Sequence, residues 1–347
     1  MVQTYLITGG AGFIGSHLAE ALLAGGNTVV VLDDLSTGRL DNLRDVRTDP
    51  RFHIEIGSVL DELKVDQLVH RCDVVVHLAA AVGVQLIVEQ PLRSFATNIR
   101  GSEIVIGAAH RYRRKILVAS TSEIYGKNES EKLAENADRI LGATSIARWA
   151  YSTAKAVDEI LALMYHRERD LASIVVRLFN TVGPRQTPGY GMVLPRLARQ
   201  AVAGEPLTVY GDGLQSRCFC HVLDVVGALT SLLEDPEAVG GVYNIGSSYE
   251  ISILDLARRV IARAESVSDI EIIPYEYAYA EGFEDMRRRV PDTGRLNELT
   301  GWVPRRTLDD MIDDAVAEAR REVDVPRRPM LALAADRKIY EVESSVG

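Results

Sequence analysis

The chain has 347 residues, of which 47% are hydrophobic and 25% charged, and its formal net charge is −10. This length and composition predict one large or two modest soluble domains with a large core, and the acidic balance argues against a nucleic-acid partner. The sequence has no apolar run long enough to cross a bilayer and no charged leader with a cleavage site, so we expect a cytoplasmic protein without a membrane partner.

The first predicted elements are a strand, a glycine-rich turn, a helix and a second strand. Residues 5–8 form the first strand, residues 9–15 read Gly-Gly-Ala-Gly-Phe-Ile-Gly, residues 16–23 form the helix, and residues 29–32 form a strand that ends at Asp33. All of them lie within about 30 residues, as in a βαβ dinucleotide site. The sequence therefore predicts a cofactor site at this turn.

Each part of this unit has a role in binding a dinucleotide. Glycines at 9, 12 and 15 allow a tight turn, close approach of the backbone to a pyrophosphate and close packing of the helix on the strand. The helix N-terminus presents N–H groups and a partial positive charge to the phosphates. Asp33 can accept hydrogen bonds from a ribose diol and would repel a 2′-phosphate, so the sequence favours NAD over NADP.

Apolar strands and helices then alternate through the first half of the chain. Strands are predicted at 74–78, 115–119 and 173–178, and helices at 91–110 and 151–169. Strands that are apolar without alternation suit a parallel sheet covered on both faces. The predicted fold class is therefore α/β, with a doubly wound parallel sheet of the Rossmann type.

The composition changes after residue 180, where Gly and Pro are frequent and we expect loops and short elements. The later predicted elements are helices at 224–233, 253–264 and 308–321, a strand at 242–245 and a loop-rich segment at 271–302.

The cysteines and histidines predict neither a disulfide framework nor a metal site. Cys72, Cys218 and Cys220 are odd in number and lack C-x-x-C spacing, which indicates buried thiols in a reducing compartment. No cluster of His, Cys and carboxylate residues has the spacing of metal ligands, so we expect no catalytic metal.

The second strong motif is Tyr-Ser-Thr-Ala-Lys at residues 151–155. Residues four apart share a helix face, so Tyr151 and Lys155 are expected to project together. An ammonium beside a phenol favours the phenolate, as does the positive charge of a nearby nicotinamide. Such a phenol can exchange a proton with a substrate hydroxyl, and a hydroxyl of the Ser-Thr-Ser run at 120–122 can bind the same substrate oxygen.

With these motifs the chain resembles the extended short-chain dehydrogenase/reductase family, and within it the nucleotide-sugar epimerases, dehydratases and decarboxylases. The resemblance extends from residue 3 to about 320, and its segments are 9–15, 33–34 with 36–38, 77–80, Asn98, 120–126, Tyr151 with Lys155, 177–180 and 183–185. It implies cofactor contacts for Gly9, Gly12, Phe13, Ile14, Gly15, Asp33, Asp34, Ser36, Thr37, Gly38, Ser58, Val59, Leu78, Ala79, Ala80, Asn98, Tyr151 and Lys155. Ser58 departs from the family pattern, which has an Asp near the adenine.

The resemblance also implies a domain organisation and an oligomeric state. We expect an NAD-binding Rossmann domain at 1–180, to which 222–250 returns, and a smaller, mostly C-terminal α/β domain at 181–221 and 251–325 that binds a nucleotide sugar. Residues 326–347 are expected to be a tail. Family members commonly dimerise through the helices predicted at 91–110 and 151–169, which implies a homodimer.

The resemblance further implies how the reaction begins and where it branches. Tyr151 takes the proton of the sugar 4-hydroxyl, Lys155 supports it electrostatically, Ser120 or Thr121 binds the oxygen, and hydride passes from C4 to bound NAD. The 4-keto sugar is then epimerised, dehydrated or decarboxylated. Dehydratases carry Asp-Glu where this chain has Ser122 and Glu123, so the acid for water loss is missing, whereas Ser-Glu resembles the UDP-glucuronate decarboxylases.

The same resemblance implies the substrate contacts. The segment at 282–292 resembles that of the decarboxylases, and it makes Arg289 the candidate partner of the sugar carboxylate or the diphosphate. Arginine suits either anion because its planar fork binds two oxygens at once. The remaining implied substrate residues are Asn180, Val193, Leu194, Thr208, Tyr210 and Arg217.

Three hypotheses about the function are therefore compatible with the sequence. The leading one is NAD-dependent decarboxylation of UDP-glucuronate to a UDP-pentose, either UDP-xylose or its 4-keto precursor. The alternative is a nucleotide-sugar 4-epimerase, with a 4,6-dehydratase behind it. A non-catalytic NAD-dependent sensor or scaffold on the same fold is the third, and the intact Tyr151 and Lys155 argue against it.

Overall fold

A computed structural model describes residues 2–81, 91–146, 149–186, 192–278 and 286–324. The strands are β1 (Thr4–Thr8), β2 (Thr28–Asp33), β3 (Phe52–Ile56), β4 (Val74–His77), β5 (Lys115–Thr121), β6 (Ser173–Leu178), β7 (Thr181–Val182), β8 (Leu207–Tyr210), β9 (Ser216–Cys218), β10 (Cys220–His221), β11 (Val242–Ile245), β12 (Glu250–Ser252) and β13 (Ile270–Ile273). The helices are α1 (Phe13–Ala24), α2 (Glu62–Arg71), α3 (Pro91–Arg111), α4 (Ala150–Arg169), α5 (Val193–Ala203), α6 (Val222–Glu234), α7 (Ile253–Ala264), α8 (Tyr275–Ala278), α9 (Gly294–Thr300) and α10 (Leu308–Asp324).

A seven-stranded sheet with the order β11-β6-β5-β4-β1-β2-β3 forms the centre of the molecule. Every neighbouring pair in it is parallel. The order reverses between β1 and β4, which creates a crevice at the carboxyl ends of these two strands. The predicted α/β fold with a doubly wound parallel sheet is confirmed.

Helices cover both faces of this sheet because successive strand residues point to opposite sides. On one face, Val76 belongs to a buried cluster with Leu22 of α1 and Leu229 of α6. On the other face, Val75 packs in a separate cluster with Ile106 of α3 and Ala162 of α4. This double covering explains why the strands are apolar throughout.

A further buried cluster joins α5, α7 and α10 with the short strands β8 and β12. Local signals define its helices: the Ser252 side chain accepts a hydrogen bond from the Asp255 N–H at the start of α7. Gly204 ends α5 in the left-handed conformation with φ +69°. This cluster packs beside the carboxyl ends of the central strands and so forms the second wall of the crevice.

The expectation of loops and short elements after residue 180 agrees with the strands β7 to β10, but the eleven-residue helix α5 was not expected there. The described residues of the segment at 271–302 are loop-rich, with most of β13 and the short helices α8 and α9. Gly and Pro marked the ends of these elements rather than their absence. The predicted tail at 326–347 and residues 282–285 of the arginine-bearing segment lie outside the described residues. In the ranges that are described, no helix is long and apolar enough to cross a membrane.

Candidate active site

A cavity of about 700 Å³ lies where the carboxyl ends of the central strands meet the α5–α7–α10 cluster. Residues that follow β1, β2, β4, β5 and β6 line one side of it. Residues of α5, β8 and β9 line the other side, together with Arg289. In doubly wound folds ligands bind at this position, outside the carboxyl ends of the strands at the point where the strand order reverses.

The glycine turn leaves room for a ligand because side chains are excluded from it. Gly9 has φ +73°, and a Cβ there would lie 2.8 Å from the Ala79 backbone nitrogen. A Cβ at Gly15 would lie 2.7 Å from the Gly10 Cα and would also collide with the Gly9 carbonyl. The backbone therefore comes close to both the cavity and the start of α1, as a pyrophosphate requires.

Asp33 lies at the end of β2 with its carboxylate held by the backbone. Its Oδ2 accepts from the Ala11 N–H at 2.9 Å, and its Oδ1 accepts from the Leu35 N–H at 2.8 Å. Burial raises the pKa of Asp33, while these two hydrogen bonds lower it. The side chain is 7% exposed and lines the cavity, so its remaining lone pairs are placed to accept from a ribose diol.

Most of the residues predicted to bind the cofactor line this cavity. They are Gly9, Gly12, Phe13, Ile14, Gly15, Asp33, Asp34, Ser36, Thr37, Val59, Leu78, Ala79, Ala80, Tyr151 and Lys155. Gly38, Ser58 and Asn98 are not in its lining. A Cβ at Gly38 would meet Asp33 Oδ1 at 2.7 Å, Ser58 Oγ accepts from the Leu60 N–H, and Asn98 holds the backbone of Ala81.

The cavity therefore fits a dinucleotide on the evidence of its shape and donor set. A glycine cradle meets a helix N-terminus, and a buried carboxylate ends the second strand. The glycine turn would hold the pyrophosphate and Asp33 a ribose. Within the described ranges no three His, Cys, Asp or Glu residues converge as they would around a metal ion.

Tyr151 and Lys155 lie one turn apart on α4 and both line the cavity. Burial raises the pKa of Tyr151, and the carboxylates of Glu123 and Asp158 raise it further. The sequence predicted the opposite direction from Lys155. The main cause of the difference is burial of the phenol, and the Asp158 carboxylate, which pairs with the Lys155 ammonium at 3.0 Å, adds to it.

The hydroxyls at the end of β5 have different surroundings. The Ser120 Oγ is buried and has no hydrogen-bond partner among the described residues, although Ser120 lines the cavity. The Thr121 Oγ1 accepts from the Glu123 N–H at 3.2 Å and so caps the short 3-10 turn at Ser122–Tyr125. Both hydroxyls retain a proton that can be donated to a substrate oxygen.

The 3-10 turn at Ser122–Tyr125 brings Ser122 and Glu123 against Arg289. The Arg289 Nη1 donates to Ser122 Oγ at 3.0 Å and lies 3.5 Å from Glu123 Oε1. Arg289 is 5% exposed, and all three residues line the cavity. A carboxylate, a hydroxyl and a guanidinium therefore meet in the same space as Tyr151.

The substrate side of the cavity contains most of the residues expected there. Asn180, Val193, Leu194, Tyr210, Arg217 and Arg289 line it. Thr208 does not, because its hydroxyl interacts with Arg196 and Gln200.

Sequence reasoning missed several lining residues on this side. Arg196 lies on α5 with its guanidinium carbon 4.3 Å from the centre of the Tyr210 ring. Arg185, Gln215 and Tyr275 also line the cavity. Arg185 belongs to the matched segment 183–185, which was the one available signal, whereas the others come together only in the fold.

Comparisons with known proteins identify the family. A family model described as GDP-mannose 4,6 dehydratase matches residues 6–315. UDP-N-acetyl-alpha-D-glucosaminuronate decarboxylase of Bacillus cytotoxicus is 39% identical over 313 residues, 88% of this chain and 94% of that protein. UDP-glucuronic acid decarboxylase 6 of Arabidopsis thaliana is 34% identical over 324 residues, 93% of this chain and 90% of that protein.

A solved structure is also similar to this chain over nearly its whole length. UDP-glucuronic acid 4-epimerase from Bacillus cereus, in complex with UDP-glucuronic acid and NAD, matches with a TM-score of 0.82 at 27% identity, over 92% of this chain and 99% of that one. The chain belongs to the GDP-mannose 4,6-dehydratase family of extended short-chain dehydrogenases/reductases.

Proposed function

We propose that this protein is an NAD-dependent decarboxylase of a UDP-linked hexuronic acid, with UDP-glucuronate as the expected substrate and a UDP-pentose as the product. The observation that carries this proposal is the meeting of Arg289 with Ser122 and Glu123 inside the Tyr151 cavity. The two relatives support it, since both are decarboxylases of UDP-linked uronates. The solved epimerase, with UDP-glucuronic acid and NAD bound, supports the same substrate class and cofactor.

In this proposal the first step is oxidation at C4 of the sugar. NAD, when bound, would supply the acceptor for the C4 hydride, and return of that hydride to C4 would give the UDP-pentose. Tyr151 takes the proton of the 4-hydroxyl, and the Ser120 and Thr121 hydroxyls are placed to hold the oxygen that becomes the ketone. Lys155 is the buried cation of the pair, one helical turn from the phenol.

The second step breaks the C5–C6 bond. A 4-keto uronate is a β-keto acid, so the electron pair of that bond moves toward the C4 carbonyl as carbon dioxide leaves. C5 then needs a proton, which Glu123 or a water molecule that it holds supplies. Arg289 is placed to bind the carboxylate before it departs, because its guanidinium reaches the cavity beside Glu123. Ser122 cannot serve as the acid for water loss, which disfavours dehydration.

The test is incubation of the purified protein with UDP-glucuronate and NAD, followed by mass spectrometry and NMR. Loss of carbon dioxide with formation of a UDP-pentose or its 4-keto form is the expected result. A product of unchanged mass would instead establish a 4-epimerase, the activity of the solved Bacillus cereus neighbour.

The substituent on C2 of the sugar needs a separate test because the two relatives differ there. One acts on an N-acetylglucosaminuronate and the other on a glucuronate. A parallel incubation with the N-acetylated uronate compares kcat/KM for the two substrates. Preference for the N-acetylated sugar would keep the decarboxylation and change the assigned substrate.

We also propose a homodimer, formed by α3 and α4. Leu92 and Phe95 of α3 are 86% and 41% exposed, and Val157 and Ile160 of α4 are 37% and 54% exposed. These two helices pack on each other, so the exposed apolar side chains extend over adjoining helices as in a four-helix interface. The same proposal places the enzyme in the cytoplasm, consistent with buried thiols at Cys72, Cys218 and Cys220.

Light scattering after size exclusion tests the dimer. The unmodified chain is expected to elute as a dimer and Ile160→Glu as a monomer. Val267→Glu is the control, since Val267 is 97% exposed and lies on neither helix. A monomer at micromolar concentration for the unmodified chain would reject the interface.

A further inference from the structure

Lys155 forms an ion pair with Asp158, a residue that belongs neither to the Tyr151–Lys155 motif nor to the proposed reaction. Its Nζ lies 3.0 Å from Oδ2 of Asp158, and the two side chains are 2% and 0% exposed. A buried ammonium and a buried carboxylate each carry a large desolvation cost, which is offset only when they are paired closely. Asp158 is therefore the resident counter-charge of the lysine in the Tyr-Lys pair.

Asp158 lies beside a row of buried polar groups that reaches the cofactor side of the cavity. Ser102 of α3 faces its carboxyl, and the Ser102 Oγ lies 3.0 Å from His77 Nε2. His77 Nδ1 lies 2.7 Å from the hydroxyl of Thr8, the residue before Gly9. All these side chains are essentially inaccessible to solvent. Hydrogen bonds join Thr8, His77 and Ser102, whereas the Oδ1 of Asp158 has no hydrogen-bond partner among the described residues.

Few charged groups lie near these buried polar residues. Burial raises the pKa of Asp158, whereas Lys155 and the Ser102 hydroxyl lower it and Glu159 raises it. Glu159 is engaged elsewhere, in a two-point ion pair with Arg177 of β6 at 2.9 and 2.8 Å. Burial and, to a smaller extent, the Lys155 charge lower the pKa of His77 to about 3, so the imidazole is neutral at physiological pH.

Tyr151 faces two carboxylates. Glu123, on the 3-10 turn, is paired with Arg289, and Asp158, on α4 itself, is paired with Lys155. Both carboxylates raise the pKa of the phenol, after burial. The ionisation of Tyr151 therefore depends on how much of the Lys155 charge Asp158 offsets.

We propose that Asp158 is a positioning residue that holds the Lys155 ammonium in place and sets the pH range in which Tyr151 works. This inference rests on the role proposed above for Tyr151.

The charge change has a definite sign. Asp158→Asn removes a negative charge that opposes the phenolate and leaves the amide oxygen as an acceptor for Lys155. The Tyr151 phenolate is then favoured, so the acid limb of kcat/KM moves to lower pH. We expect a shift of about one pH unit, at the low end of what a nearby charge produces.

Two measurements test this on the NAD-loaded enzyme. The first is the pH profile of kcat/KM for UDP-glucuronate. The second is an ultraviolet titration of phenolate formation without sugar, taken as a difference from Tyr151→Phe. Because the titration needs no turnover, failure of decarboxylation with a shifted titration counts against the proposed substrate and not against Asp158.

The matched control is Glu159→Gln, which removes the adjacent buried carboxylate of the same helix. It is expected to lower the melting temperature through Arg177 and to leave both pH curves in place. Asp158→Ser makes the same charge change with a smaller side chain and serves if Asp158→Asn does not fold. An acid limb that is unchanged, or that moves to higher pH because Lys155 has lost its proton, would overturn the proposal.

Discussion

The two sides of the cavity recognise their ligands by different means. The centre of the cofactor side is one contiguous βαβ unit, in which Asp33 accepts hydrogen bonds from Ala11, 22 residues away, and from Leu35. The substrate side is assembled from distant segments, and Arg289 reaches Ser122 across 167 residues. Local chain geometry therefore determines the first side, and tertiary packing determines the second.

The chemistry of the two sides differs in the same way. The cofactor side offers backbone N–H groups and space that a Cβ would fill, so it is sensitive to volume. The substrate side offers charged side chains, such as Arg289 and Glu123, so it is sensitive to charge. Substitutions that change only volume or only charge separate the two.

The largest effect is expected at Tyr151, which lies between the two sides of the cavity. Tyr151→Phe removes the phenol that exchanges a proton with the substrate and keeps the ring, so kcat should fall by about 10³-fold. Steady-state assays measure this, and fluorescence titration should show NAD affinity within about threefold of the unmodified chain. Retained turnover in Tyr151→Phe would favour a mechanism without Tyr151. If the unmodified chain also showed no turnover, a non-catalytic NAD-dependent sensor would be favoured.

On the substrate side, Glu123→Gln removes a charge at nearly constant volume. The proton for C5 is lost, so carbon dioxide release or product formation should fall by about 10²-fold. Reduction of bound NAD in a single turnover should be retained, because Glu123 exchanges no proton in the first step and loss of its charge favours the Tyr151 phenolate. Stopped-flow absorbance and product analysis separate the two steps, and full turnover would remove Glu123 from the mechanism.

The same contrast explains what could be predicted from the sequence. The glycine turn, Asp33 and the Tyr151–Lys155 spacing were accessible because the residues that act together are near in the chain. The parallel sheet was accessible from its continuous apolar strands.

Other features were not accessible for physical reasons. Helix α5 was missed because flanking Gly and Pro residues masked an amphipathic helix. The predicted direction of the Tyr151 pKa was wrong because burial of the phenol and its closeness to the Glu123 and Asp158 carboxylates arise from tertiary packing, which no local pattern reveals. Arg289 was reached only through a family resemblance, since nothing in the spacing brings it to Glu123.

On the cofactor side, Gly15→Ala changes volume alone. The added methyl would meet the Gly10 Cα at 2.7 Å and the Gly9 carbonyl, so the turn must shift. We expect about tenfold weaker NAD binding, which is ~1.4 kcal/mol, within the usual range for overpacking. Isothermal titration calorimetry measures it, and Gly227→Ala is the control because its nearest neighbour, Trp302, lies at 4.0 Å. Equal affinities for both variants would show that the turn is not in contact with the cofactor.

The smallest effect is expected at Ser58, where the chain departs from the acid of its family. Ser58 is not in the lining of the cavity, and its hydroxyl accepts from the Leu60 N–H at 3.2 Å. An aspartate can accept the same hydrogen bond, so Ser58→Asp should change NAD affinity by less than about threefold, as at an ordinary surface position. Calorimetry beside Gly15→Ala compares the two directly. A gain in NAD affinity of tenfold or more would show that a side chain at this position contacts the adenine end of the cofactor. The cofactor side would then be sensitive to charge as well as to volume.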